Sequence, residues 1–178
     1  MVDAHASADL PRATAHLPGC GGTLVARACE EVLVRPPDGN GTHIWVRVAK
    51  DGLGTRQAQA AVARAAAVAP ELVSCAGNRD RTGRSVQWFS VPAEAVDNPG
   101  ALRRAGAHGK MTVQEVATSG RAITAAAVPR LRWKLRLAGA ARQGGYQKAR
   151  AILDHLRRHG CPNYHAPDAA TGEHPRWG

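Results

Sequence analysis

The sequence predicts a mixed α/β (α+β) fold, an antiparallel or mixed sheet flanked by helices. Three observations predict it. His43–Ala49, HIWVRVA, is rich in β-branched residues. Residues 56–69, RQAQAAVARAAAVA, have helical propensity throughout. Beyond them ELVSCA, a charged loop and SVQWF give the order strand, helix, strand, loop, strand.

Residues 1–22 are rich in Ala, His, Pro and Gly and read as a flexible N-terminal tail. In residues 23–35, two short apolar runs broken by Arg27 and the Glu30–Glu31 pair predict a strand pair or one irregular strand. PPDGNG at 36–41 is a turn, and the strand at 43–49 ends at Lys50-Asp51-Gly52. Thr55 is the expected cap of the helix, with Val62 and Ala66 on one face and Pro70 as its stop.

Residues 71–76 lead into CAGNRDRTGRSVQWF, residues 75–89, where Asp80 stands between Arg79 and Arg81 and Gly77 and Gly83 bracket the charges. A carboxylate among cations suits a nucleophile or an electrostatic group for a polyanionic substrate. A hairpin turn whose Asp caps backbone N–H groups, with solvated arginines, explains the same pattern.

Residues 93–110 read as loops with one short helix, and 111–128 as strand or helix. In LRWKLRL, Leu131, Trp133, Leu135 and Leu137 alternate with Arg130, Arg132, Lys134 and Arg136, which predicts a half-buried strand with one cationic face. Such a face tracks a phosphate backbone or protects a sheet edge. Residues 147–158 form an amphipathic helix with Gly160 as its C-cap, and residues 165–178 read as an irregular C-terminal tail.

The 178 residues are enough for one domain with a core, here expected at 23–164. Aromatic residues make up only 4 %, so Ala and Val must fill much of that core. The formal net charge is +10, and residues 121–160 carry ten Arg or Lys against one acid, Asp154. That balance favours an anionic partner, nucleic acid ahead of membrane. The four cysteines are widely spaced with no CxxC, against a zinc ribbon or disulfide framework. His155, His159, Cys161 and His165 are a weak metal candidate, and a basic helix end followed by a turn explains them equally. No run is long and apolar enough to span a bilayer, and the first residues lack a signal pattern, so a cytoplasmic protein is expected.

Four segments in order carry a family resemblance: PDGNGTHIWVRVAKDGLGT at 37–55, AGNRDRTGRSVQWFSV at 76–91, LRWKLRLAGAARQGGY at 131–146 and GCPNY at 160–164. Together they resemble the TruD family of tRNA pseudouridine synthases. The first is similar to the family's acidic-Gly turn, Gly-x-His strand entry and x-Lys-x-Gly-x-x-Thr exit. The second is similar to its Ala-Gly-x-Lys-Asp signature, the third to its basic strand and Gly-Asn-x-Phe loop, and the fourth to its Gly-Val-Pro-Asn-Tyr motif.

The resemblance implies a partial pseudouridine-synthase-like catalytic domain and isomerisation of a uridine in tRNA. It implies no cofactor and no metal. Asp80 matches the catalytic aspartate, Arg79 stands where the family usually has Lys, and Gln87 matches the Gln of the same signature. Tyr146 takes the place of an aromatic near the target base, and Gly144 that of an Asn. Gly160, Pro162, Asn163 and Tyr164 match the last motif. The implied substrate-binding set is Arg79, Arg81, Gln87, Arg132, Lys134, Arg136, Tyr146 and Asn163. The chain departs from the family in length and after Tyr164, where HAPDAATG lacks the Gln-Arg pair. An RNA-binding remnant or a non-functional fragment of such an enzyme is the alternative reading.

Overall fold

A computed structural model describes Thr14 and residues 16–107, 109–139 and 144–160. Most of the two expected tails, and the GCPNY motif beyond Gly160, lie outside the described residues. The chain divides into two compact units, Val25–Arg136 and a smaller one made of Met1–Leu24 with Leu137–Gly178.

The larger unit is built on a mixed sheet. Its elements in chain order are β1 (Thr23–Val32), β2 (His43–Asp51), helix α1 (Thr55–Ala66), β3 (Ser74–Cys75), β4 (Arg84–Pro92), β5 (Met111–Ser119) and β6 (Arg130–Ala138). Short 3-10 turns fill the connections. The strand order is β5-β2-β4-β1-β6. β2 lies between β4 and β5 and is antiparallel to both, with a bulge opposite β5 between Arg47 and Val48. β1 runs parallel to β4, pairing Ala28 with Arg84 and Glu30 with Val86. Further along, β3 pairs antiparallel with β4, Cys75 facing Phe89.

The uncertain segments resolve simply. Residues 23–32 are one continuous strand, and 111–119 are a strand. Period-two alternation divides each strand between two faces. On one face Val46, Val48, Phe89 and Val91 pack against Ala58, Val62 and Ala66 of α1. The small side chains of α1 let helix and sheet approach closely, which is how a chain poor in aromatics closes its core. On the other face Trp45, Trp88 and Ile123 form a second cluster. The two indoles meet edge to face at 5.8 Å, and Trp45 Nε1 donates to Arg121 O at 2.6 Å.

Three expectations need correction. Thr55 is the first helical residue rather than the cap. Gly54 takes the cap position, and its N–H is accepted by Gln57 Oε1 at 3.0 Å. Pro70 does not stop α1, which ends at Ala66 because Ala67 turns left-handed (φ 57°). Val68 N–H then bonds Ala63 O and Ala67 N–H bonds Arg64 O, a Schellman closure. β6 alternates as expected but is not half-buried. It lies at the sheet edge, and Trp133 and Leu135 on its apolar side are 50 % and 59 % exposed.

In the smaller unit α2 (Gly145–His159) runs to Gly160 at its C-cap, with Arg157, Arg158 and His159 in its last turn. The His155 ring meets His16 at 4.7 Å and His159 at 4.5 Å.

The left-handed alanine generates a prediction. Ala67→Gly removes the Cβ clash that this conformation imposes and stabilises the fold by about 1 kcal/mol, read as a higher urea midpoint at unchanged slope.

Candidate active site

The loop between β3 and β4, residues 76–83, presents Asp80. Its geometry needs glycine at the exit. Gly83 has φ 87°, and a Cβ there would lie 2.7 Å from Arg27 O, so the loop passes directly against β1.

Asp80 is held from three sides. Its carboxylate pairs with Arg27 Nη2 of β1. Asp80 Oδ1 accepts the Thr82 N–H at 3.0 Å, closing an Asx turn. Its own carbonyl accepts Lys50 Nζ at 3.3 Å. Arg27 also donates through Nε to Thr82 O at 3.3 Å. The Asp80 and Arg27 side chains each remain 37 % exposed, so a fixed carboxylate stays open to an incoming group.

The flanking arginines play other parts than the sequence suggests. Arg79 turns away from Asp80. Its Nε lies 2.8 Å from Glu31 Oε1, an ionic contact outside hydrogen-bond alignment, and the Glu31 side chain is fully buried. Glu31 Oε2 accepts the Trp88 N–H at 2.7 Å. Burial pushes the Glu31 carboxyl above its ordinary pKa, against the opposing pull of that N–H and of the Arg79 charge. Arg81 is exposed. The cation on the candidate nucleophile is therefore Arg27.

Beneath the loop is a chain of buried polar groups. Thr55 Oγ1 accepts the Arg79 N–H at 2.8 Å and donates to Gln87 Oε1 at 3.1 Å. Gln87 Nε2 donates to Gly77 O at 2.8 Å. Gln87 is 0 % exposed, with both ends of its amide engaged in holding the loop. Lys50, also buried, donates to Leu53 O at 2.8 Å. Burial pulls its pKa below the lysine range, with the charges of Cys29 and Asp80 acting against the shift. Burial likewise raises the Cys29 thiol.

The remaining expected residues lie elsewhere. Arg132 meets Glu30 at 3.5 Å, and Glu30 also pairs with Arg47. Glu30 and Glu31 are adjacent in β1 and point to opposite faces. Arg132, with Lys134 and Arg136 two and four residues on, therefore stands on the sheet face opposite the Asp80 network. Tyr146 is in the first turn of α2, not in a loop, and is 72 % exposed. Asn163 lies outside the described residues, as do Cys161 and His165. Among the described residues no three His, Cys, Asp or Glu side chains are grouped to hold a metal, and no helix is long and apolar enough to cross a membrane.

The sequence pattern does not single out Arg27, Glu31 and Lys50 as site residues, and it places Thr55 at a cap. Lys50 and Thr55 had a signal, the Lys-x-Gly-x-x-Thr exit from β2. Arg27 and Glu31 had only an even spacing along one strand.

The family profile described as tRNA pseudouridine synthase D (TruD) matches residues 11–167. Over 164 residues the chain is 35 % identical to a tRNA pseudouridine synthase D of Anaeromyxobacter dehalogenans, covering 89 % of this chain and 44 % of that protein. It is 34 % identical over 151 residues to the protein of the same name from Azotobacter vinelandii, covering 82 % and 42 %. The chain thus spans less than half the length of these curated relatives. In three dimensions it is similar to a crystal structure of a candidate tRNA pseudouridine synthase D (TruD) from Methanosarcina mazei. The TM-score is 0.68 at 16 % identity, over 85 % of this chain and 35 % of that one, a likeness of fold.

The buried acid generates a pH prediction. A carboxyl whose folded pKa is raised contributes stability that is fully present below its unfolded value, 4.5, and lost as pH rises through the folded one. Urea unfolding of wild type and Glu31→Gln across pH 4 to 8 should show the wild type's relative stability falling with rising pH and then levelling. A rise instead would mean that Arg79 and the Trp88 N–H outweigh burial.

Proposed function

The chain belongs to the tRNA pseudouridine synthase D (TruD) family, and from that premise we propose that it isomerises a uridine in tRNA to pseudouridine with Asp80 as the nucleophile. The observation that carries the reading is the Asp80 carboxylate itself, locked by Arg27 and the Thr82 N–H yet open to solvent.

The reaction breaks the N-glycosidic bond of uridine and makes a C-glycosidic bond to C5 of the same uracil. C5 loses its proton and N1 gains one, so the net change is an isomerisation. A carboxylate supplies what the step needs by attacking the anomeric carbon or the base, holding one fragment while the other turns. The Arg27 charge and the Thr82 N–H fix that carboxylate's direction before substrate arrives. The target nucleotide must leave its stack, at a cost of a few kcal/mol. An aromatic side chain stacked on the base would offset part of this. Lys134 and Arg136, on the sheet face away from Asp80, would hold tRNA backbone remote from the target nucleotide.

A second reading has its own support. Arg132, Lys134 and Arg136 of β6 are all exposed, so a cationic strand is available to RNA independently of the Asp80 chemistry. An RNA-binding remnant with no turnover would have this feature.

Two measurements test the proposal. Incubation of the purified chain with unmodified tRNA, with pseudouridine mapped by position, should give product from the wild type and a loss of more than about 10³-fold in Asp80→Ala. Binding without product from the wild type selects the remnant reading. For the backbone contact, Lys134→Gln with Arg136→Gln should weaken tRNA binding alike across sequences. It should also reduce the slope of log affinity against log salt by about 2.

A further inference from the structure

Lys50 has an assignment beyond closing a turn. It sits at the end of β2 on the α1 side and is 2 % exposed. An ammonium there is stripped of water, and a methionine would fill similar space without that penalty. The groups around it are Cys29 and Glu31 from β1, and Arg79 and Asp80 from the loop. Its hydrogen bonds go to two backbone carbonyls. The bond to Leu53 O at 2.8 Å is local and closes the turn into α1. The other, to Asp80 O at 3.3 Å, spans thirty residues of chain and ends on the peptide of the proposed nucleophile. A turn needs only the first.

We propose that Lys50 is a positioning residue for Asp80, its charge holding the Asp80 carbonyl so that the carboxylate points at Arg27 and the Thr82 N–H. The proposal rests on the reading of Asp80 as nucleophile. The physical chain is short. A charge-assisted bond fixes the peptide plane after Asp80. That plane and the peptide before Asp80, whose Arg79 carbonyl lies 3.4 Å from Thr55 Oγ1, set the backbone angles at residue 80. Those angles set the direction in which the side chain leaves. The β2–α1 connection therefore supplies both anchors of the Asp80 backbone, Lys50 on one side and Thr55 on the other. Lys50 touches neither substrate nor the carboxylate.

The experiment compares wild type, Lys50→Met and Lys50→Arg. The readouts are single-turnover pseudouridine formation, tRNA affinity and amide hydrogen exchange, with Val46 and Val116 reporting the core. Lys50→Met should slow turnover by about tenfold to a hundredfold while tRNA affinity stays within about twofold. Protection of the Thr82 amide should fall by about tenfold with the core amides unchanged. Lys50→Arg should recover part of both losses. Unchanged Thr82 protection in Lys50→Met overturns the proposal. A wild type without turnover sinks the synthase reading instead, and Thr82 exchange still decides the role of Lys50. If Lys50→Met does not fold, wild-type exchange is followed toward alkaline pH alongside the Lys50 Nζ signal. Thr82 protection should drop as Lys50 loses its proton while Val46 keeps its own, and constant Thr82 protection through that titration overturns the proposal.

Discussion

A gap in the sheet governs the arrangement around Asp80. One edge of β4 pairs with β1 as far as Val86 and with β3 from Phe89 onward. Between them the Trp88 N–H faces the edge without a strand partner. A buried donor left unpaired is costly, and Glu31 Oε2 takes it. An acid buried for that purpose needs a cation, and Arg79 from the neighbouring loop provides it. Drawing Arg79 inward turns the next residue outward, where Asp80 meets Arg27. The exposed carboxylate is thus the far end of a chain of constraints that starts at one backbone amide.

Buried polar groups are tolerable in such a site only when each is engaged. Thr55, Gln87 and Lys50 meet that demand through Arg79 N–H, Gly77 O, Leu53 O and Asp80 O. They come from α1, β4 and β2, so the loop is tied to three elements that the core already fixes. Gly83 completes the fit, because a side chain there would collide with the backbone of β1.

The sheet also separates charges by function. Glu31, Arg27, Lys50 and Gln87 share the face that α1 covers. Glu30, Arg47 and Arg132 share the other, where the ion pairs are partly solvated and worth little each. One-residue offsets along β1 make the difference, with Glu30 serving the outer face and Glu31 the inner.

Much of this was legible in the sequence. The mixed sheet, the alanine-rich helix, the hairpin bearing Asp80 and the alternation of β6 follow from periodicity and turn chemistry, which act over a few residues. The ordered motifs identified the family on the same local basis. Tertiary structure alone decided which cation meets Asp80. Arg79 and Arg81 are neighbours in sequence, but the pull of Glu31 and the exposure of the loop send them elsewhere, and Arg27 arrives from a strand 53 residues earlier. It also decided that Gln87 is a buried tie and that the cations of β6 face away from Asp80. These depend on strand register and on which face an adjacent element covers, and both are set by long-range packing rather than by any segment's own pattern.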